Sequence, residues 1–348
     1  MQTNSTMLKM SRLLISKITR NTSESVLISF DIPESEKEKF RFQAGQYLTL
    51  EAEIDGNPVR RSYSICCAVD EGLQVGVKAV PNGVFSNYAN QSLNVNDQLL
   101  VAPPEGRFLY ETDYKPKNIA AFAAGSGITP IMSILKSALS DHPANRFHLV
   151  YGNKSEKDTM FYSELKELEK SYEGRLEIQW VFSRENVAGS LFGRIDAGVV
   201  KNALTKIDDA AMFYLCGPEN MIQGVSETLT SSGIEQDRVM FELFTSKAAV
   251  QEVKGQGQTL EIIYDDASQK IENIDGKSVL DAALHNKMDV PYSCQGGVCS
   301  SCIARIKSGT ATMASNQILT DQEVEEGLIL TCQAHPTSPH LIVDYDDV

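Results

Sequence analysis

Three of the chain's seven cysteines fall within nine residues, in "PYSCQGGVCSSC" (291–302), and a fourth follows in "LTCQAHP" (330–336). The spacing is Cys294-x4-Cys299-x2-Cys302, then 29 residues to Cys332. No other stretch restricts folding as strongly, because one loop has to gather three thiols around something. Gly296 and Gly297 allow backbone conformations closed to residues with side chains and let amide N–H groups approach sulfur. The short Ser293, Ser300 and Ser301 suit the same crowding. Structural zinc sites favour paired C-x2-C knuckles, and only one such pair is present. A cluster of two irons bridged by two sulfides needs four thiolates, three of them from one wrapped loop, and this spacing matches that need better. Cys66, Cys67 and Cys216 stand outside the set.

An odd cysteine count in a long chain with no readable signal peptide points to a reducing compartment, and a cytoplasmic location is expected. No apolar run reaches the ~18 residues of a membrane span. The net charge of −14 argues against a nucleic-acid partner, which would need a basic face. That charge is uneven. Residues 259–348 hold 14 acids and 5 bases, a net of −9, and the rest of the chain holds the remaining −5. A small acidic module docking on a basic partner surface is one reading, and a merely solubilising acidic face is the other.

Along the chain the periodicity changes twice. "SVLISFDI", "QYLTLEAEI", "VRRSYSICC" and "GLQVGVKAV" are strand-like runs separated by turn signals such as Asp55–Asn57, and they predict an N-terminal β-barrel. "KNIAAFAAGSGITPIMSILKSALSD" then reads as a buried strand, a glycine turn and a helix with Pro130 in its first turn. "RFHLVYGN", "SELKELEKSY", "LEIQWVFSRE" and "DAAMFYLCGPENMIQGVSETLTSSG" continue the alternation, which predicts a parallel α/β sheet with ligands beyond the strands' C-terminal ends. The polar, Gly/Gln-rich stretch 246–259 reads as a linker. A hairpin, a helix at "SVLDAALHNK" and a closing strand at "HLIVDYD" predict a small α+β module. The expected boundaries are 1–113, 114–245, a linker 246–258, and 259–348.

Further motifs carry chemistry. In "RSYS" (61–64), Arg61 can neutralise a pyrophosphate, Tyr63 can stack on a flat ring and Ser64 can hydrogen-bond a ring nitrogen. "GVFS" (83–86) sits at a helix start, where free N–H groups favour phosphate. "AAGSGITP" (123–130) has the G-x-G of a dinucleotide turn, but Pro130 stands where a third glycine would be. "CGP" (216–218) follows a later strand, and Cys216 is open to a second reading as a small core thiol.

The C-terminal segment resembles plant-type ferredoxins. The resemblance implies a β-grasp fold with Cys294, Cys299, Cys302 and Cys332 holding a 2Fe–2S cluster. Residues 8–245 resemble the ferredoxin–NADP reductase superfamily. That resemblance implies FAD held by Arg61, Ser62, Tyr63, Ser64, Val77, Lys78, Gly83, Val84, Phe85 and Ser86. It places Gly125, Gly127, Thr129, Cys216 and Gly217 at a nicotinamide dinucleotide. Tyr63, Ser64, Cys216 and Glu242 would stand by the reacting rings, with Phe244 of "FELF" near the flavin. Ser183 and Arg184 of "FSRE", assisted by Lys154, suit the 2′-phosphate of NADPH better than NADH. The implied activity is electron transfer from nucleotide through FAD and the cluster to an oxygenase partner, with docking through the acidic ferredoxin module. The order of modules resembles the reductase components of multicomponent oxygenases, including di-iron, aromatic-ring, steroid and alkane enzymes. A redox-sensing iron–sulfur module without catalytic flux is the reading of a different class, and the intact flavin and nucleotide motifs weigh against it.

Overall fold

The computed structural model describes residues 10–111, 117–207, 212–244, 258–274 and 276–348. The expected linker lies almost wholly outside these residues, as does the boundary at 113–114. The chain forms two compact units, one running from Met10 to Glu242 and the other from Leu243 to Val348.

The larger unit begins with β1 (Ser11–Thr22), β2 (Ser25–Asp31), β3 (Tyr47–Ile54), β4 (Asn57–Ser64), β5 (Leu73–Lys78), α1 (Val84–Gln91) and β6 (Gln98–Val101). In β1 Leu13 and Ile15 are buried and their neighbours exposed, the period-two pattern of a half-buried strand. The six strands form one antiparallel sheet in the order β4-β3-β6-β1-β2-β5. Its two edges meet at a single bridge, Ile65 with Val75, beside the Cys66 N–H to Gln74 O hydrogen bond. The expected barrel is thus seen as a six-stranded antiparallel sheet whose edge strands β4 and β5 share no continuous ladder. Leu13, Ile28, Leu48, Leu50, Val75 and Phe85 are core residues of this sheet and α1.

The chain continues with β7 (Asn118–Ala124), α2 (Ile128–Asp141), β8 (Arg146–Asn153), α3 (Tyr162–Ser171), β9 (Leu176–Phe182), β10 (Leu191–Phe192), α4 (Ala197–Leu204), β11 (Met212–Cys216), α5 (Glu219–Ser231) and β12 (Val239–Glu242). All six strands run parallel, in the order β10-β9-β8-β7-β11-β12. Central β7 is buried along nearly its whole length, as a strand covered on both faces must be. Ten of the fourteen residues of α2 are buried, so this helix is as apolar as the sheet it covers. Strands are added outward on one side from β7 to β10, and the chain then crosses to β11. The gap between the ends of β7 and β11 is thus the topological switch point, where open α/β sheets bind ligands.

The smaller unit contains β13 (Thr259–Tyr264), β14 (Ala267–Glu272), α6 (Val279–His285), β15 (Ile303–Ser308), β16 (Ala311–Met313), α7 (Asp321–Glu325), β17 (Leu328–Leu330), β18 (Ala334–Pro336) and β19 (His340–Asp344). The main sheet runs β14-β13-β19-β15-β17, with β13 and β19 parallel at its centre, and β16 and β18 form a separate pair. Helix α6, capped by Ser278 on the Asp281 N–H, adds Val279, Leu280 and Ala283 to a core with Leu260, Ile262, Leu330, Leu341 and Val343. Thr320 and Glu323 form a reciprocal capping box at the start of α7.

Candidate flavin, nucleotide and iron–sulfur sites

At the C-terminal end of β4, Tyr63 packs on Phe85 of α1 with ring centroids 5.5 Å apart. Burial pushes the Tyr63 hydroxyl well above its ordinary value, so it stays neutral. Strand alternation puts Arg61 and Tyr63 on one face and Ser62 and Ser64 on the other. The Arg61 guanidinium donates to the carbonyl of Arg60 and is exposed, while Ser62 lies 3.2 Å from the Thr49 hydroxyl. Val77 is fully buried, and its carbonyl already accepts from Asn90. Only its backbone neighbourhood, with half-buried Lys78, can face a ligand. Gly83 precedes α1, and the Ser86 hydroxyl accepts the Val80 N–H, folding the turn over the helix start. A Cβ at Gly83 would lie 2.4 Å from that hydroxyl, so the turn is built for glycine. Val84 is exposed and Phe85 buried, which leaves the first-turn N–H groups of α1 as the accessible anion donors.

Ser64 reaches across the larger unit. Its hydroxyl donates to Glu242 at the end of β12, at 3.4 Å, a long bond. Glu242 is 8% exposed, and burial lifts its carboxyl to about 8, partly opposed by Ser64. It is therefore a neutral acid at pH 7. Cys216 is the register partner of Glu242 on β11. Its thiol is fully buried among Ala121, Ala123 and Ile128, and burial with the nearby carboxyl pushes it far up. Cys216 is thus a buried thiol at the end of β11, paired in register with Glu242. Phe244, beyond β12, is 38% exposed.

The Gly125–Gly127 turn follows β7 directly and leads into α2. Gly125 has φ +57, with open space where a side chain would go, whereas a Cβ on Gly127 would lie 2.1 Å from the Cys216 carbonyl oxygen. The two glycines serve different needs. One supplies a left-handed turn, and the other lets the ends of β7 and β11 approach at the switch point. Thr129 spends its hydroxyl on the Ser126 carbonyl. Parallel register also brings Ser183 and Arg184 beside Asn153 and Lys154, through Ser183 N–H to Asn153 O (3.0 Å) and Arg184 N–H to Lys154 O (2.9 Å). Phe192 escaped the reading of the sequence. It is 67% exposed, the register partner of Phe182, and so one residue from Ser183. Its only signal was an aromatic beside Gly193 in "SLFGR".

In the smaller unit the Cys294 thiol lies in hydrogen-bonding reach of Cys299 and Cys332, and Cys302 in reach of Cys332. Those bonds, with N–H groups of Gly296 and Val298, hold Cys294 well below the ordinary thiol range, while Cys299 and Cys332 are pushed up. Gln295 (φ 55) and Gly297 (φ 73) both take left-handed conformations that wrap the loop. Thr331 braces Cys302. Its N–H and hydroxyl both donate to the Cys302 carbonyl, and it accepts the Tyr345 hydroxyl at 2.9 Å. Among the described residues no group of three His, Cys, Asp or Glu has the arrangement of a single-ion site. Four thiols linked in the order Cys299, Cys294, Cys332, Cys302, with amide N–H groups turned toward Cys294, fit a dispersed, sulfide-bridged cluster in their donor chemistry.

Comparison with known proteins agrees with this layout. Residues 12–110 match the oxidoreductase FAD-binding domain, 122–227 the oxidoreductase NAD-binding domain, and 262–337 the 2Fe-2S iron-sulfur cluster binding domain. The phthalate dioxygenase reductase structure shares the fold, with a TM-score of 0.63 at 23% identity over 96% of this chain and 98% of that one. The class is therefore a modular oxidoreductase carrying FAD and a 2Fe–2S cluster and using a pyridine nucleotide. The chain is 34% identical to a subunit of the 1,2-phenylacetyl-CoA epoxidase of Escherichia coli (strain K12), over 96% of this chain and 97% of that protein. It is 31% identical to the ferredoxin reductase component of 3-ketosteroid-9-alpha-monooxygenase from Rhodococcus rhodochrous, over 96% of each. It belongs to this family of oxygenase reductase components.

Proposed function

We propose that the chain takes electrons from NADPH and delivers them to the oxygenase of a phenylacetyl-CoA epoxidase. The observation that carries the reading is the 34% identity to the Escherichia coli epoxidase protein along 96% of the chain. The run "FRFQAGQYLTL", "RSYSIC", "VKAV", "AAGSGITP", "YGN", "GGVC", "TCQAHP" resembles that relative from end to end. Bound FAD would supply hydride acceptance and one-electron release, and a bound 2Fe–2S cluster would supply one-electron transfer.

The residues divide the work of placement. Tyr63, backed by Phe85, offers a flat face to the flavin ring, and the first turn of α1 at Gly83–Ser86 offers N–H groups to its pyrophosphate. Ser64 and protonated Glu242 form a pair that can hold a proton beside the ring without adding charge. Cys216 packs behind them. Gly125, Gly127 and Thr129 shape the dinucleotide turn. Arg184, tied by its backbone to Lys154, supplies a cation pair suited to a 2′-phosphate, and exposed Phe192 offers adenine an apolar surface. Cys294, Cys299, Cys302 and Cys332 hold the cluster. The functional boundaries are those expected from the sequence, with 246–258 as the linker. The acidic 259–348 module presents a surface complementary to a basic partner. Cys66, Cys67 and Cys216, outside the cluster set and not in disulfides, suit the cytoplasm, and no helix among the described residues is long and apolar enough to cross a membrane.

The test is reconstitution. Cofactor-loaded protein with NADPH should reduce ferricyanide or cytochrome c and, with the oxygenase part of the epoxidase, support oxygenation of phenylacetyl-CoA. Turnover of a steroid or aromatic oxygenase in preference to the epoxidase would assign it to another member of the family. Equal or higher kcat/KM for NADH would remove the NADPH assignment.

A further inference from the structure

The hydroxyl of Tyr151 lies at a junction that the motifs did not single out. Tyr151 is fully buried in β8, in register with Ala123 on β7 and Trp180 on β9. Its hydroxyl oxygen is 3.0 Å from the carbonyl of Gly125, in the dinucleotide turn, and 3.4 Å from the carbonyl of Met160. The two carbonyls belong to segments with different anchors. Gly125 opens the turn whose other glycine abuts Cys216. Met160 precedes Phe161, which sits at φ 58 and whose N–H donates to the Asn21 side chain on β1. The Met160 methyl would meet a Cβ at Gly76 of β5 at 3.2 Å, and the Thr129 methyl would meet it at 2.7 Å. One hydroxyl therefore stands between the nucleotide turn and the seam where the parallel sheet packs on the antiparallel one.

We propose that Tyr151 is a positioning residue, its hydroxyl holding the Gly125 peptide so that the turn keeps one conformation toward the pyridine nucleotide. Gly125 needs such a brace. Its left-handed conformation leaves open space where a side chain would stand, and glycine confines the backbone least. The ring cannot substitute for the hydroxyl, since its burial would be the same in phenylalanine. The turn meets the part of the dinucleotide that NADPH and NADH share, so the effect is common to both. The proposal rests on the reading that the Gly125–Gly127 turn holds the nucleotide.

The test compares holo Tyr151→Phe and holo Gly127→Ala with the parent protein. Ferricyanide turnover is measured with NADPH and with NADH, alongside NADP⁺ binding and FAD content. Tyr151→Phe should raise KM for both nucleotides about fivefold, the scale of one hydrogen bond, with kcat within about twofold and FAD content unchanged. An unchanged KM, a change confined to NADPH, or parallel loss of FAD would overturn it. Gly127→Ala separates the underlying reading. If KM rises in Gly127→Ala but not in Tyr151→Phe, the turn is the site and Tyr151 does not position it. If neither variant moves KM, the turn does not hold the nucleotide.

Discussion

Ser64 and Glu242 lie 178 positions apart in the chain, yet the Ser64 hydroxyl sits 3.4 Å from a carboxyl oxygen of Glu242. One residue ends β4 of the antiparallel sheet and the other ends β12 of the parallel sheet. Neither sheet alone makes the pair. It forms because both strands terminate at the seam between them, in a place dry enough to keep a carboxyl protonated.

Glu242 should make stability pH-dependent. Its folded value of about 8 lies above the ordinary 4.5, so between those limits the folded state holds more protons than the unfolded one. Stability should then fall as pH rises from about 4.5 to 8. Glu242→Gln should flatten that slope in thermal melts at stepped pH, and an unaltered slope would show that Glu242 titrates normally.

Nucleotide choice should follow Arg184. Arg184→Ala removes one of the two cations at the ends of β8 and β9, and should lower kcat/KM for NADPH about ten- to hundredfold while leaving NADH nearly unaffected. Equal losses with both nucleotides would argue that Arg184 is only a surface charge.

Cluster loss should separate the two halves of the electron path. Cys332→Ser should abolish the visible absorption of the cluster and transfer to the oxygenase. NADPH-to-ferricyanide turnover through FAD should survive. Retained cluster absorption in this variant would point to a different fourth ligand.

The cysteine loop should not tolerate a side chain at Gly297. At φ 73, a Cβ there would lie 2.9 Å from both the Ser315 carbonyl oxygen and the Gln333 side chain. Gly297→Ala should cost about 1–3 kcal/mol in the smaller unit, read from its melting transition. A transition indistinguishable from the parent would mean the loop relaxes freely.

Legibility in the sequence followed locality. The three-cysteine loop at 294–302, the strand–GSGITP–helix passage and the start of α1 at Gly83 were readable because each depends on residues within about a dozen positions. Phe192 and Tyr151 were not. An exposed aromatic and a buried one look alike in a string of letters, and register alone brings Phe192 beside Ser183 and the Tyr151 hydroxyl to Gly125. Val77 shows a limit of the opposite kind. It lies in a motif, but strand alternation turns its side chain into the core.

Sequence alone determined the chemistry on offer: four thiols at cluster spacing, glycines where backbone must bend or approach, and an acidic final module. Those properties reside in residue type and short spacing, which folding does not alter. Tertiary structure decided which groups act together and in what protonation state. It paired Ser64 with Glu242, sent the Cys216 thiol into the core and set Arg184 beside Lys154. The reason is that desolvation and distance depend on what packs around a group, and here the packing partners come from strands far apart in the chain.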